Sequence, residues 1–128
     1  MKHEDALALA PAAPGTQADF SGHWKNELKS TMDLTVSGSA VTGTYTSHVS
    51  GGGGPITGPI VGFVSGHTIS FIVNWPSASI TAWVGHLVKE RHHEVIETLW
   101  QLATPTTNPN DPTELWESVF AGADRFHR

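Results

Sequence analysis

The chain has 128 residues, which suits one domain around one core and requires no internal boundary. Its formal charge is −5 with only 7 Lys and Arg and no basic run, so a nucleic-acid partner is not expected; no apolar stretch approaches the roughly 20 residues of a membrane-spanning helix, so neither is a membrane. Cysteine is absent, which removes disulfides, thiolate chemistry and cysteine-based zinc sites together and leaves the compartment open.

Residues 1–19 are rich in Ala, Pro and Gly and read as a disordered tail or leader remnant outside the fold. They carry acidic residues where a secretory leader is basic, although "TQA" before Asp19 offers a small residue at which cleavage could occur. From residue 20 to 128 the pattern changes. Short runs of β-branched and aromatic residues alternate with Gly, Pro, Ser and Asn, and no 3.6-residue period lasts beyond two turns. The runs predict eight strands: Gly22 to Leu28, Thr31 to Val36, Ala40 to Ser47, Ile56 to Val64, His67 to Trp75, Ile80 to Val88, His93 to Leu102 and Trp116 to Ala123. The links "SGS" and "SG" are short enough for hairpins. An all-β, antiparallel up-and-down meander of eight strands protects its edges by closing into a barrel, whose interior is wide enough for one small ligand.

Two longer segments, 48–56 and 104–115, are candidate lids. The first contains Gly51 to Gly54, four glycines that suit either a floppy loop or a run of backbone N–H groups aimed at something. The aromatic balance also points to a pocket, with five Trp against a single Tyr, although Trp can equally fill a small core.

In order along the chain, "SGHWKNELKST", "GTYTS", "ITG", "VNWPSASITAWVG", "TLWQL" and "LWESVFAGADRF" resemble the motifs of the avidin and streptavidin family over about residues 20–126. No single motif is specific; the ordered set is. The resemblance implies an avidin-like β-barrel that binds biotin with high affinity and without catalysis, needs no cofactor, and serves to sequester biotin. By the same resemblance, Asn26, Ser30 and Tyr45 donate hydrogen bonds to the ureido oxygen, while Ser47 and Asp124 accept from its two N–H groups. Trp75, Trp83 and Trp100 enclose the rings, Thr81 points at the thioether sulfur, Leu102 adds apolar wall, and Ser79, with Ser77 beside it, meets the carboxylate tail. Trp24 is structural. Trp116, eight residues before Asp124, matches the tryptophan that caps a neighbouring subunit's ligand, which implies a homotetramer, with a homodimer as the alternative. The family further implies a soluble protein, secreted or periplasmic.

Asp124 stands out on physical grounds as well, because a carboxylate in an apolar barrel must be hydrogen-bonded or lose its charge; Asn26 is its expected neighbour. Other chemistries fit less well. Eight histidines invite a metal, but His92 and His93 on a strand would face opposite ways. An enzyme would need a nucleophile with a base, or a second carboxylate, inside the barrel. A lectin or a carrier of apolar ligands gives no reason for the five polar floor residues to occur together.

Overall fold

The computed structural model describes residues 1–11, 15–48 and 54–128. Among them, eight strands form: β1 (Gly22–Asn26), β2 (Thr31–Ser37), β3 (Ala40–Ser47), β4 (Ile56–Ser65), β5 (Thr68–Asn74), β6 (Ile80–Glu90), β7 (His93–Ala103) and β8 (Val119–His127). Side chains on a strand alternate between faces, and β5 follows that rule: Ile69, Phe71 and Val73 are buried while the residues between them are exposed. Each strand pairs antiparallel with the next, and β8 returns to β1, closing the barrel as the meander predicts.

Hairpins of two residues join β2 to β3 and β4 to β5, with Gly38 and Gly66 at φ of 62° and 58°. Such turns demand this left-handed backbone, which glycine adopts without strain. These turns lie at one end of the barrel, together with the β6–β7 turn, where Arg91 takes φ 53°. His92 belongs to that turn, not to a strand, and among the described residues no three His, Cys, Asp or Glu gather to hold a metal ion.

The same end is plugged. Trp24 and Phe20 are fully buried, and the Trp24 indole donates to the Phe20 carbonyl at 2.9 Å. The Arg128 guanidinium lies 4.1 Å over the Trp24 ring and donates to the Ser21 and Asp19 carbonyls. Residues ahead of Phe20 join in, since the Ala18 N–H donates to Gly66 and the Gln17 amide to Gly38. Further back, α1 (His3–Ala8) buries no residue.

Most strand bounds differ from the sequence reading by one or two residues, and those of the last strand, which runs to His127 instead of Ala123, by three and four; two of these differences have a clear local cause. The first strand stops at Asn26 instead of Leu28, because the Asn26 side-chain oxygen accepts from the Leu28 and Ser30 N–H groups and turns the chain. The last strand begins at Val119, and Trp116 lies in a helix, α2 (Pro112–Glu117). Asp111 caps this helix by accepting from the Thr113 N–H at 3.0 Å, and Pro112 follows at its first position. Of the glycine run, Gly51 to Gly53 lie outside the described residues.

Trp24→Ala empties a large, fully enclosed site at the plugged end and is expected to destabilise the fold by about 3–5 kcal/mol in urea unfolding.

Candidate ligand-binding site

The opposite end of the barrel gathers the polar residues. Asn26 ends β1, Ser30 precedes β2, Tyr45 and Ser47 end β3, Trp83 lies on β6 and Asp124 on β8. The Asn26 amide nitrogen donates to the Tyr45 hydroxyl at 3.3 Å and to an Asp124 carboxylate oxygen at 3.4 Å. Because its own oxygen is committed to the Leu28 and Ser30 N–H groups, the amide has one orientation consistent with these bonds. Ser30 is buried; its hydroxyl oxygen accepts from the His48 N–H at 3.3 Å and hydrogen-bonds with Tyr45.

Asp124 is half-buried, and its second oxygen accepts from the Trp83 indole N–H at 3.2 Å. Burial pushes its carboxyl above the ordinary value of 3.8; the Trp83 bond opposes that, the negative charge of Glu27 adds to it, the Asn26 bond opposes it, and a hydrogen bond with Glu27 raises it further. Tyr45 is pushed up as well, first by burial and then by the charge on Asp124, so its phenol keeps the proton it needs for donating.

Below this floor the aromatic rings are layered. Trp83 stacks between Tyr45, with centroids 5.0 Å apart, and Phe71, at 4.9 Å. Trp83 is only 4% exposed and therefore belongs to the floor, where it holds Asp124, rather than to the upper wall. The upper wall is Trp75, Trp100 and Leu102, each partly buried. Trp75 donates its indole N–H to the Thr81 hydroxyl oxygen at 2.8 Å, which fixes the ring and leaves the Thr81 proton available for donation inward. Ser47, Trp75, Ser79, Thr81 and Leu102, with Ile56 and Ser77, line a cavity of about 240 Å³ at the mouth. The Ser77 hydroxyl donates to that of Ser79 at 3.3 Å. Eleven of the twelve sequence-predicted residues thus lie on the strands and turns of the barrel at this end, and α2, in the β7–β8 connection, is at the same end. Trp116, the twelfth, is 79% exposed on α2 and does not line this cavity.

The avidin family model matches residues 14–128. The chain belongs to the Avidin family. Among solved structures of similar fold, xenavidin is 30% identical with a TM-score of 0.75, over 88% of this chain and 99% of its own. A biotin-binding protein from chicken is 27% identical with a TM-score of 0.75, over 88% and 97%. Rhizavidin, in its complex with biotin, is 29% identical with a TM-score of 0.66, over 85% and 91%. Curated protein sequences give no match.

Two glycines of this avidin barrel matter to the site and escape the sequence reading. A Cβ on Gly122 would lie 2.6 Å from the Trp100 ring, its register partner, and one on Gly58 would lie 2.5 Å from Val73 and 3.3 Å from the Trp75 ring. Both tryptophans occupy space that only glycine leaves. A glycine inside a strand does signal such an approach, but its partner depends on the register.

Because the native state binds a proton at Asp124 more tightly than the unfolded chain does, ionising this carboxyl costs stability as pH rises through the window above 3.8. Asp124→Asn is therefore expected to melt a few degrees higher than the parent at neutral pH without ligand, the gap closing as pH falls below the window, as calorimetry at several pH values would reveal.

Proposed function

We propose that this avidin-family barrel binds biotin non-covalently at its open end and performs no chemical step. The observation that carries this reading is the floor network, in which the donors of Asn26, Ser30 and Tyr45 lie beside the acceptor Asp124 at the end of the barrel that opens into a cavity lined by Trp75, Thr81 and Leu102. A cyclic urea has complementary needs: its oxygen accepts and its two nitrogens donate. In this reading the ureido oxygen takes hydrogen bonds from Asn26, Ser30 and Tyr45, and its N–H groups donate to Ser47 and Asp124. Hydrogen bonds from charged groups are roughly twice as strong as neutral ones, so the ionised Asp124 is the strongest acceptor for the urea.

Above the floor, the fused rings lie against Trp75 and Trp100. Thr81 donates to the sulfur, and thioether contact with the aromatic edges adds to the hold. The carboxylate tail leaves past Ser77 and Ser79. Solved biotin complexes of rhizavidin and of a shwanavidin variant support the ligand.

A homotetramer is the assembly this reading favours over a homodimer. The outer face of β4 to β7 carries exposed Phe63, Ile72, Val84 and Leu99, and the register sets Phe63, Ser70, Val84 and Leu99 side by side across these four strands. Contiguous apolar surface of this kind marks an interface. A second copy packed there, with a Trp116 that is 79% exposed in the single chain, gives that indole a neighbouring mouth to cover.

Thermal melts with and without biotin test the function. A ligand that binds only the folded state stabilises it by about 4 kcal/mol at a thousandfold excess over Kd, so saturating biotin raises Tm and an unmoved melt refutes the reading. For assembly, light scattering gives four chains, and Trp116→Ala speeds biotin dissociation by at least tenfold, about 1.4 kcal/mol or more; an unchanged off-rate removes the cap.

A further inference from the structure

Pairing across β6, β7 and β8 lays the inward side chains in rows. Trp83, Trp100 and Gly122 are register partners in one row; the next, one step nearer the mouth, is Thr81, Leu102 and Phe120. The deeper row is closed, because Trp83 is buried and the Trp100 ring takes the space that Gly122 leaves. The outer row is open: two of its members, Thr81 and Leu102, line the mouth cavity.

The third member, Phe120, shares their face. Along β8 the Asp124 carboxylate meets Asn26 and Trp83 inside the barrel and Phe126 is fully buried, whereas Arg125 pairs with Glu90 and Glu97 outside. Alternation therefore turns Phe120 inward, roughly 13 Å above Asp124 along the strand. Its ring is nevertheless 51% exposed, while Trp75, Trp100 and Leu102 are all partly buried. An apolar ring that faces a concave site yet stays half in water adds little to the fold and keeps apolar area to be covered on binding.

The position along the barrel says which part of a ligand would cover it. When biotin is bound as described above, its rings lie at the level of Trp100, its sulfur at Thr81 and its carboxylate at Ser79, two residues further out than Thr81. Between sulfur and carboxylate the ligand is a run of methylenes, level with Phe120 and the space just above it. The residues lining the mouth cavity include no Lys, Arg or His, so this stretch meets only hydroxyls and hydrocarbon there.

Building on the biotin reading, we propose that Phe120 is a further ligand-contact residue, whose ring covers the aliphatic chain from β8 while Ser77 and Ser79 hold the carboxylate from the β5–β6 turn. Phe120 thereby sets specificity for the chain: it favours fused rings that carry an aliphatic arm over the same rings without one, independently of the charge at the end of the arm.

The test is a cycle that truncates protein and ligand in turn, with affinities measured by competition for the wild type, Phe120→Leu and Phe120→Ala. The ligands are biotin, its alcohol analogue, which keeps the chain and loses the charge, and the bicyclic urea without a chain. Phe120→Ala weakens biotin and the alcohol alike by roughly threefold to tenfold, as expected for losing a partly covered ring, and Phe120→Leu falls between. The chainless urea changes less than about twofold, within the additivity of independent groups. Equal losses for biotin and the chainless urea, the pattern of a residue that only shapes the barrel or seats a cap from a second copy, overturn the proposal, as does no loss at all. A wild type that binds no biotin overturns the biotin reading with it. Should the variants fail to fold or the urea bind too weakly to measure, NMR of the wild-type complex decides: the Phe120 ring protons must show Overhauser contacts to the chain methylenes, and their absence refutes the assignment.

Discussion

A carboxylate that must sit partly out of water without a cation is the constraint from which the binding end is built. Asp124 is held by two neutral N–H donors, one from an amide and one from an indole. Each donor is itself immobilised. The amide oxygen of Asn26 closes the turn after β1, and the Trp83 ring is clamped between two other rings. The acceptor that a urea needs thus has its direction fixed before any ligand arrives, and affinity then loses little to ordering.

This arrangement couples the site to the core without a separate scaffold. Phe71, Trp83 and Tyr45 form one stack reaching from the middle of the barrel to the floor, and Phe126 meets both outer rings edge-on. Packing that stabilises the fold therefore also positions the donors. Such a stack cannot shift by small degrees, because close-packed interiors have few alternative arrangements.

Much of this was legible in the residues because a strand's period is two. Asn26, Tyr45, Thr81, Trp83, Trp100 and Asp124 all fall on inward positions, and the motif resemblance supplied their roles. What escaped depends on distance through space or on competing local signals. "LWESVFA" reads as a strand by its apolar content, but the Asp111–Pro112 pair caps a helix through Trp116, and that local chemistry won. Trp83 and Trp100 share the inward face, and nothing in alternation tells which lies deeper.

The barrel's first and last residues lie together at the plugged end. Gln17 and Ala18 are tied to the turns there, and Arg128 bonds back to Asp19 and Ser21. The mouth faces the other way. Attachment through either terminus would therefore point the cavity away from a surface or a fused partner. Both routes load the plug: a linker ahead of Gln17 pulls on the segment through Ala18 to the buried Phe20, and one at Arg128 begins on the guanidinium that covers Trp24.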